Sequence, residues 1–316
     1  GRTEWSIRTD QELSAGVGAD SRLVVVATAK GDVLAFSADD GQPRWTARVT
    51  SEVLAAPAVS AAAIVVKSGD NRVVLLDPGS GARKWIYQRS TPSLALRSTA
   101  PPVFADRFVF IGFPGGKLVA LALENGAPVW EGPVASPKGA TELDRVADIV
   151  TLPVIDGRMI CAVAFQGRVA CFDMAQGGAL LWGRDFSSAS GLAFDNRFLF
   201  VTDDRGAVHA LDRNTGGSVW KQDKLLHRRV SGPAVQRGVV AVADGVQVRR
   251  LAGQQAQPLV LDGVGVLELI HQDVRQATTV RQPKILVVAQ QADGEKQQGV
   301  EIEGVVLEQG GLIAGV

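Results

Sequence analysis

The sequence predicts an all-β fold, a β-propeller built from four-stranded blades. Six tryptophans each follow a glycine by four residues, and they recur at intervals of 40, 40, 45, 52 and 38 residues. They are Trp5, Trp45, Trp85, Trp130, Trp182 and Trp220. Periods near 40 residues are typical of solenoids and propellers. Alternating short strands within one period favour the propeller.

One repeat, residues 54–89, shows the strand pattern. The predicted strands are Leu54–Val59, Ala62–Lys67, Arg72–Leu76 and Arg83–Gln88, with Gly, Asp, Asn, Pro and Ser in the turns between them. No segment has the three- and four-residue apolar spacing that a two-helix repeat needs. About six such blades are recognisable. Their large, flat indoles are expected to pack between neighbouring blades, at Trp45, Trp85, Trp130, Trp182 and Trp220.

The repeat predicts a division into residues 1–245, the propeller, and 246–316, an anomalous segment. A seventh tryptophan is due near position 261, which is Leu261, and residues 246–316 contain no aromatic residue. Degenerate blades, a small appended domain and a change of reading frame each explain this, and the abrupt loss of register favours the last. Because Gly1–Trp5 already reads as the end of a blade, we also expect the chain to be a fragment.

Composition argues against several functions. The 33 basic and 33 acidic side chains cancel, which disfavours binding to nucleic acid. The three histidines lack metal-ligand spacing, and no Gly-x-Ser-x-Gly elbow occurs. We therefore expect no catalytic residue, no metal and no cofactor. Cys161 and Cys171 are expected to be two small buried thiols, with a disulfide left open because the sequence does not fix its geometry.

The two long intervals locate two inserted loops. The first includes Thr91–Arg97 and the second Lys138–Asp148. Insertions in repeat proteins lie on the surface, often on a working face. Two interpretations remain at this point. The inserts are solvated loops of no special role, or they form a docking patch in which leucines anchor a partner and charges set its register.

The repeat resembles that of PQQ-type propellers, as in Ala210-Leu211-Asp212, Gly216 and Trp220. The quinoprotein alcohol dehydrogenases share only this repeat, and their vicinal cysteine pair has no counterpart here. The BamB family of the outer-membrane β-barrel assembly machinery is similar over about residues 1–245. That similarity includes Ser93–Arg97, Gly139–Asp148 and Asp223–Arg229.

The resemblance to BamB implies a non-enzymatic, eight-bladed scaffold at the periplasmic face of the outer membrane. Such a scaffold docks on the POTRA region of BamA and assists insertion of outer-membrane proteins. Other assembly components and unfolded outer-membrane proteins are further implied partners, and the only membrane attachment is an N-terminal lipid anchor outside this chain. The alternatives are a PQQ-dependent dehydrogenase and a generic protein-binding propeller.

The resemblance also implies site residues. The partner contacts would be Leu94, Leu96, Arg97 and Asp148, supported by Glu142, Asp144 and Arg145 in the second loop. A second aspartate of the family pattern falls on Val150.

Overall fold

The computed structural model consists almost entirely of β-strands, with one turn of 3-10 helix at Met174–Gln176. It describes residues 4–90, 92–236, 239–244, 247–249, 268–271 and 301–303. The chain divides into two units, residues 1–86 with 274–316 and residues 87–273.

The strands follow in chain order. They are β1 (Ser6–Arg8), β2 (Gly18–Ala19), β3 (Leu23–Ala27), β4 (Asp32–Ser37), β5 (Pro43–Arg48), β6 (Ala58–Val59), β7 (Ile64–Lys67), β8 (Arg72–Leu76), β9 (Arg83–Gln88), β10 (Val103–Ala105), β11 (Phe108–Phe113), β12 (Lys117–Ala122), β13 (Pro128–Pro133), β14 (Val154–Asp156), β15 (Met159–Val163), β16 (Gly167–Asp173), β17 (Ala179–Phe186), β18 (Leu192–Phe194), β19 (Phe198–Thr202), β20 (Val208–Asp212), β21 (Ser218–Gln222), β22 (Ala234–Gln236), β23 (Val239–Asp244), β24 (Gln247–Arg249), β25 (Glu268–His271) and β26 (Glu301–Glu303).

Consecutive strands form four-stranded antiparallel sheets. In the first unit these are β2–β5 and β6–β9, and β1 pairs separately with β26. In the second unit they are β10–β13, β14–β17 and β18–β21. A further sheet orders β22, β23 and β24, with β25 also paired to β23. Each of the five regular sheets is a meander of the kind that forms a propeller blade.

Burial differs systematically among the four strands of a sheet. The second and third strands are almost wholly buried, as in β3 (LVVVA) and β8 (RVVLL). The fourth strand alternates between exposed and half-buried residues, as in β9 (RKWIYQ). Valine-rich strands covered on both faces contribute most of the apolar burial. In the first unit, Val25, Ile64 and Val74 share one apolar core between the two sheets.

The repeated tryptophan packs on the turn of the following sheet, inside each unit. Trp45 Nε1 donates to the Pro78 carbonyl oxygen at 2.8 Å, and Trp182 Nε1 donates to that of Arg213 at 2.8 Å. A Cβ atom added at Gly81 would lie 2.5 Å from Cε3 of Trp45. The same overlap would occur between Gly41 and Trp5, between Gly178 and Trp130, and between Gly216 and Trp182.

Two features of this contact require glycine at the first position of the Gly-x-x-x-Trp repeat. Its φ is positive, +71° at both Gly81 and Gly216, which suits glycine. The indole of the preceding sheet also occupies the space of a side chain. Within one Gly-x-x-x-Trp repeat, the glycine therefore contacts the preceding sheet, while the tryptophan contacts the following sheet. Trp85 is half-buried on β9, and Trp220 packs in the core with Phe200 at 5.8 Å between ring centroids.

The turn before the fourth strand is closed by an aspartate. Asp77 Oδ1 accepts from the backbone N–H groups of Gly79 and Ser80 and from the Ser80 hydroxyl. Lys84 Nζ lies 2.9 Å from Asp77 Oδ2. Hydrogen bonds from Lys84 first, and then from Ser80, lower the pKa of the Asp77 carboxyl to about 2. Asp212 closes the equivalent turn, where bonds from Thr215 lower its pKa.

Cys161 and Cys171 form a disulfide, so the expectation of two free thiols is wrong. Their burial agrees with the sequence, since both are fully buried. They pair directly across β15 and β16, with 4.1 Å between Cα atoms. That register, which depends on the hairpin turn between the two strands, brings the sulfur atoms together.

The strands predicted in residues 54–89 are largely confirmed. Arg72–Leu76 and Arg83–Gln88 match β8 and β9, whereas the first two predicted strands are shorter in the structure, as β6 and β7. Most of residues 246–316 lie outside the described residues. The proposed domain division and the three explanations for that segment therefore stay predictions.

We expect Gly216→Ala to lower the free energy of unfolding by about 3 kcal/mol. It combines a left-handed backbone with overlap on Trp182, and each contributes about 1 to 3 kcal/mol. Gly157→Ala isolates the backbone effect, since Gly157 has a φ of +55° and nothing within 4 Å of an added Cβ. It should cost only about 1 kcal/mol. Urea unfolding measures both.

Gly217→Ala is the matched control, because its added Cβ meets only the Thr215 hydroxyl at 3.3 Å. If Gly216→Ala cost no more than Gly157→Ala, the tryptophan contact would have no part in the glycine requirement.

Candidate functional site

Both inserted loops lie in the second unit. The first loop, residues 92–97, runs from β9 toward β10, and the second loop, residues 138–148, runs from β13 toward β14. A groove of about 200 Å³ separates them. Its walls include Ser93 and Leu94 from the first loop and Glu142 and Arg145 from the second. The Ser93 hydroxyl lies 3.4 Å from Glu142 Oε1.

The first loop displays apolar side chains to solvent. Leu94 is 40% exposed and Leu96 is 38% exposed, and Arg97 next to them is exposed as well. An exposed leucine alone needs no explanation. Leu94 lines the groove, and Leu96 and Arg97 follow it in the same loop. Arginine is enriched in protein-binding hot spots, whereas leucine is not, so the leucines here supply apolar area.

The second loop is a turn braced by its own polar side chains. Thr141 N donates to Asp144 Oδ2 at 3.1 Å, and Asp144 N donates to the Thr141 hydroxyl at 3.2 Å. Hydrogen bonds from Thr141, first its side chain and then its backbone, lower the pKa of the Asp144 carboxyl. Arg145 Nη2 donates to the Ala140 carbonyl oxygen at 3.0 Å. Glu142, Asp144 and Arg145 are all exposed on this turn.

Leu143 is a residue that sequence reasoning missed as a site candidate. It is 71% exposed, the most exposed of the large apolar side chains in the described residues. In the amide orientation that matches donors to acceptors, the Gln166 side-chain nitrogen donates to the carbonyl oxygens of Leu143 and Val146, at 3.2 and 2.9 Å. The only sequence signal for Leu143 is its place between Glu142 and Asp144 in an inserted loop. That pattern does not show whether the leucine is exposed or buried.

Asp148 lines the same groove but, unlike the other residues implied by the resemblance, is buried. Only 2% of Asp148 is exposed, whereas Leu94, Leu96 and Arg97 are exposed. Asp148 Oδ2 accepts from Leu96 N at 2.7 Å, and Oδ1 accepts from Gly115 N at 2.8 Å. Val150, where the family pattern has a second aspartate, is also buried.

Other chemistry is scarce in the described part of the chain. No group of three or more His, Cys, Asp or Glu residues there is arranged to hold a metal ion. His209 Nε2 pairs with Asp203 Oδ2 at 2.9 Å and packs edge-on against Phe186, which accounts for its place in β20. Among the same residues, no helix is long and apolar enough to cross a membrane.

We expect Gly139→Ala to loosen the second loop without unfolding the sheets. Gly139 has a φ of +141°, and a side chain there would overlap Asp144. Trypsin should therefore cut faster after Lys138 and Arg145 in the variant, while the midpoint of thermal unfolding is unchanged, because the loop opens locally. The control is Gly177→Ala, a left-handed glycine with nothing within 4 Å of an added Cβ. Equal cleavage rates in wild type and Gly139→Ala would contradict this account of the loop.

Comparison with known proteins places this geometry in a family. The family model described as outer membrane protein assembly factor BamB matches residues 1–222. The outer membrane protein assembly factor BamB of Bordetella pertussis is 46% identical over 244 residues, which are 77% of this chain and 63% of that relative. The chain thus spans a little under two thirds of that relative's length.

Solved structures confirm the predicted propeller fold. The crystal structure of BamB from Moraxella catarrhalis superimposes with a TM-score of 0.73 at 30% identity, covering 76% of this chain and 73% of that one. Quinohemoprotein alcohol dehydrogenase from Comamonas testosteroni gives a TM-score of 0.58 at 15% identity, covering 70% and 44%. This second likeness shows the fold alone. With a family model matching residues 1–222 and a BamB structure matching its blades, the chain belongs to the BamB family of outer membrane protein assembly factors.

Proposed function

We propose that the protein is a non-enzymatic scaffold of the outer-membrane β-barrel assembly complex. It docks on the periplasmic POTRA region of BamA and assists insertion of outer-membrane proteins. Its family membership and the names of its relatives, outer membrane protein assembly factors, support this role. Its place of action is the periplasmic face of the outer membrane, reached through an N-terminal lipid anchor. Other assembly components and unfolded outer-membrane proteins are further partners under this proposal.

The observation that carries the proposal is the exposure of three leucines on two adjacent inserted loops. Leu94 and Leu96 lie on the first loop and Leu143 on the second, with 38% to 71% of each residue accessible. Burying each leucine in a complex removes apolar surface from water and contributes about 25 cal/mol per Å² before the costs of association are subtracted. The loops therefore supply the apolar part of a docking surface.

Charged side chains around these leucines supply orientation. Arg97 follows Leu96 directly, and an arginine makes paired charge-assisted bonds with a carboxylate. Glu142, Asp144 and Arg145 surround Leu143 with both signs of charge. Exposed charges of this kind affect the association rate and the choice of partner more than the final affinity. The proposed surface thus has leucines as anchors and a charged rim.

We predict that Leu94→Ala/Arg97→Ala weakens binding to the purified POTRA region of BamA by about 30-fold or more, since truncating a central anchor costs about 2 kcal/mol. Leu143→Ala should weaken binding by about 5-fold, as a peripheral leucine. Biolayer interferometry with the immobilised POTRA region gives both dissociation constants, and a pull-down provides an independent check.

Leu180→Ala is the matched control, because Leu180 is a leucine of similar exposure, 48%, on the outer strand β17. The Leu180→Ala variant should bind the POTRA region with the same affinity as the wild type. If the wild type binds and Leu94→Ala/Arg97→Ala binds equally well, the docking assignment is contradicted.

A further inference from the structure

We infer that Asp148 is a positioning residue of the docking surface, one that fixes the first loop before the partner arrives and does not itself touch the partner. The inference rests on the proposed function, since it concerns the same surface. It differs from the role implied by resemblance, in which this aspartate is a partner contact.

The first observation is where the carboxylate oxygens point. Oδ2 accepts from the backbone N–H of Leu96 in the first loop, at 2.7 Å. Oδ1 accepts from the backbone N–H of Gly115, in the turn between β11 and β12, at 2.8 Å. One side chain therefore joins three segments, namely the first loop, the hairpin turn and the end of the second loop. Bonds of this length to an ionised acceptor are among the stronger hydrogen bonds in proteins.

The second observation is that Asp148 is itself anchored. Its carbonyl oxygen accepts from Phe165 N at 2.9 Å, and its neighbours Ala147 and Ile149 are buried in the core. Ile149 packs so closely on Gly112 that a side chain at that glycine would overlap it. The backbone of Asp148 is therefore fixed against the β10–β13 and β14–β17 sheets. Its carboxylate in turn holds the first loop in place relative to these sheets.

The third observation is the place of the Leu96 amide. It lies between the exposed side chains of Leu94 and Arg97, so fixing it orients the residues that the proposed function uses. A loop ordered in advance loses less conformational entropy on binding, which raises affinity without any new contact. Because only 2% of Asp148 is exposed where it lines the groove, we assign it this indirect effect.

The test combines POTRA binding with amide hydrogen exchange in the full chain. Asp148→Asn keeps one acceptor oxygen and places an N–H₂ group against the second donor, whereas Asp148→Ala removes both acceptors. We expect Asp148→Ala to bind about tenfold more weakly and Asp148→Asn to be intermediate. In the unbound variants, exchange should accelerate in peptides covering residues 93–97 and 113–116. If Asp148→Ala does not fold, the test relies on Asp148→Asn, because asparagine has nearly the same shape as aspartate.

Two comparison variants sharpen the result. Asp195→Asn is a matched control, because Asp195 Oδ1 also accepts two backbone N–H bonds, from Arg197 and Phe198, in a turn outside the two loops. It should change neither POTRA binding nor exchange at residues 93–97. Leu96→Ala should weaken binding while the amide of Gly115 stays protected, since it removes a contact and leaves Asp148 intact.

Two outcomes would overturn the inference. Weaker binding by the Asp148 variants with unchanged exchange at residues 93–97 would make Asp148 a direct contact. Faster exchange with unchanged binding would show that a fixed loop is not needed. A wild type that does not bind the POTRA region at all would instead overturn the proposed function, and the exchange data would still decide whether Asp148 orders the loop.

Discussion

The packing of a tryptophan on the glycine turn of the next sheet is the contact on which the rest of this structure depends. Four-stranded sheets of about 40 residues cannot each bury both faces alone, so they must be joined. Trp45 and Trp182 join them with an apolar ring and one hydrogen bond to a turn carbonyl. The glycine admits the ring because it lacks a side chain, and its positive φ shapes the turn. One residue pair thus sets both the turn and the spacing of the sheets.

Sheets joined in this way tolerate insertions at other connections. Both inserted loops follow a fourth strand, β9 or β13, and the indole of Trp130 still packs on Gly178 across the second loop. The second loop ends at Asp148, whose neighbours Ala147 and Ile149 belong to the core. Its middle carries Leu143, exposed to solvent. The proposed docking surface would thus combine a fixed base with exposed apolar side chains because of where the extra residues enter the repeat.

The glycine–tryptophan spacing predicted the sheets well, because a repeat reports the same local conformation several times. Interval lengths also located the two loops. Partners across space were not predictable: in the sequence Gly81 belongs with Trp85, yet the indole that packs on it is that of Trp45. The Cys161–Cys171 disulfide depends on strand register, and the burial of Asp148 and exposure of Leu143 depend on loop geometry. None of these leaves a periodic signal in the sequence.

The most direct measurement is a double-mutant cycle on the free energy of unfolding with Trp45→Ala and Gly81→Ala. If the ring occupies the space over Gly81, a side chain at that position costs about 3 kcal/mol beneath Trp45 and about 1 kcal/mol once the ring is removed, leaving only the backbone strain. The predicted result is therefore a coupling of about 2 kcal/mol between the two sites. Equal costs of Gly81→Ala in both backgrounds would contradict the claim that this contact fixes how successive sheets are joined.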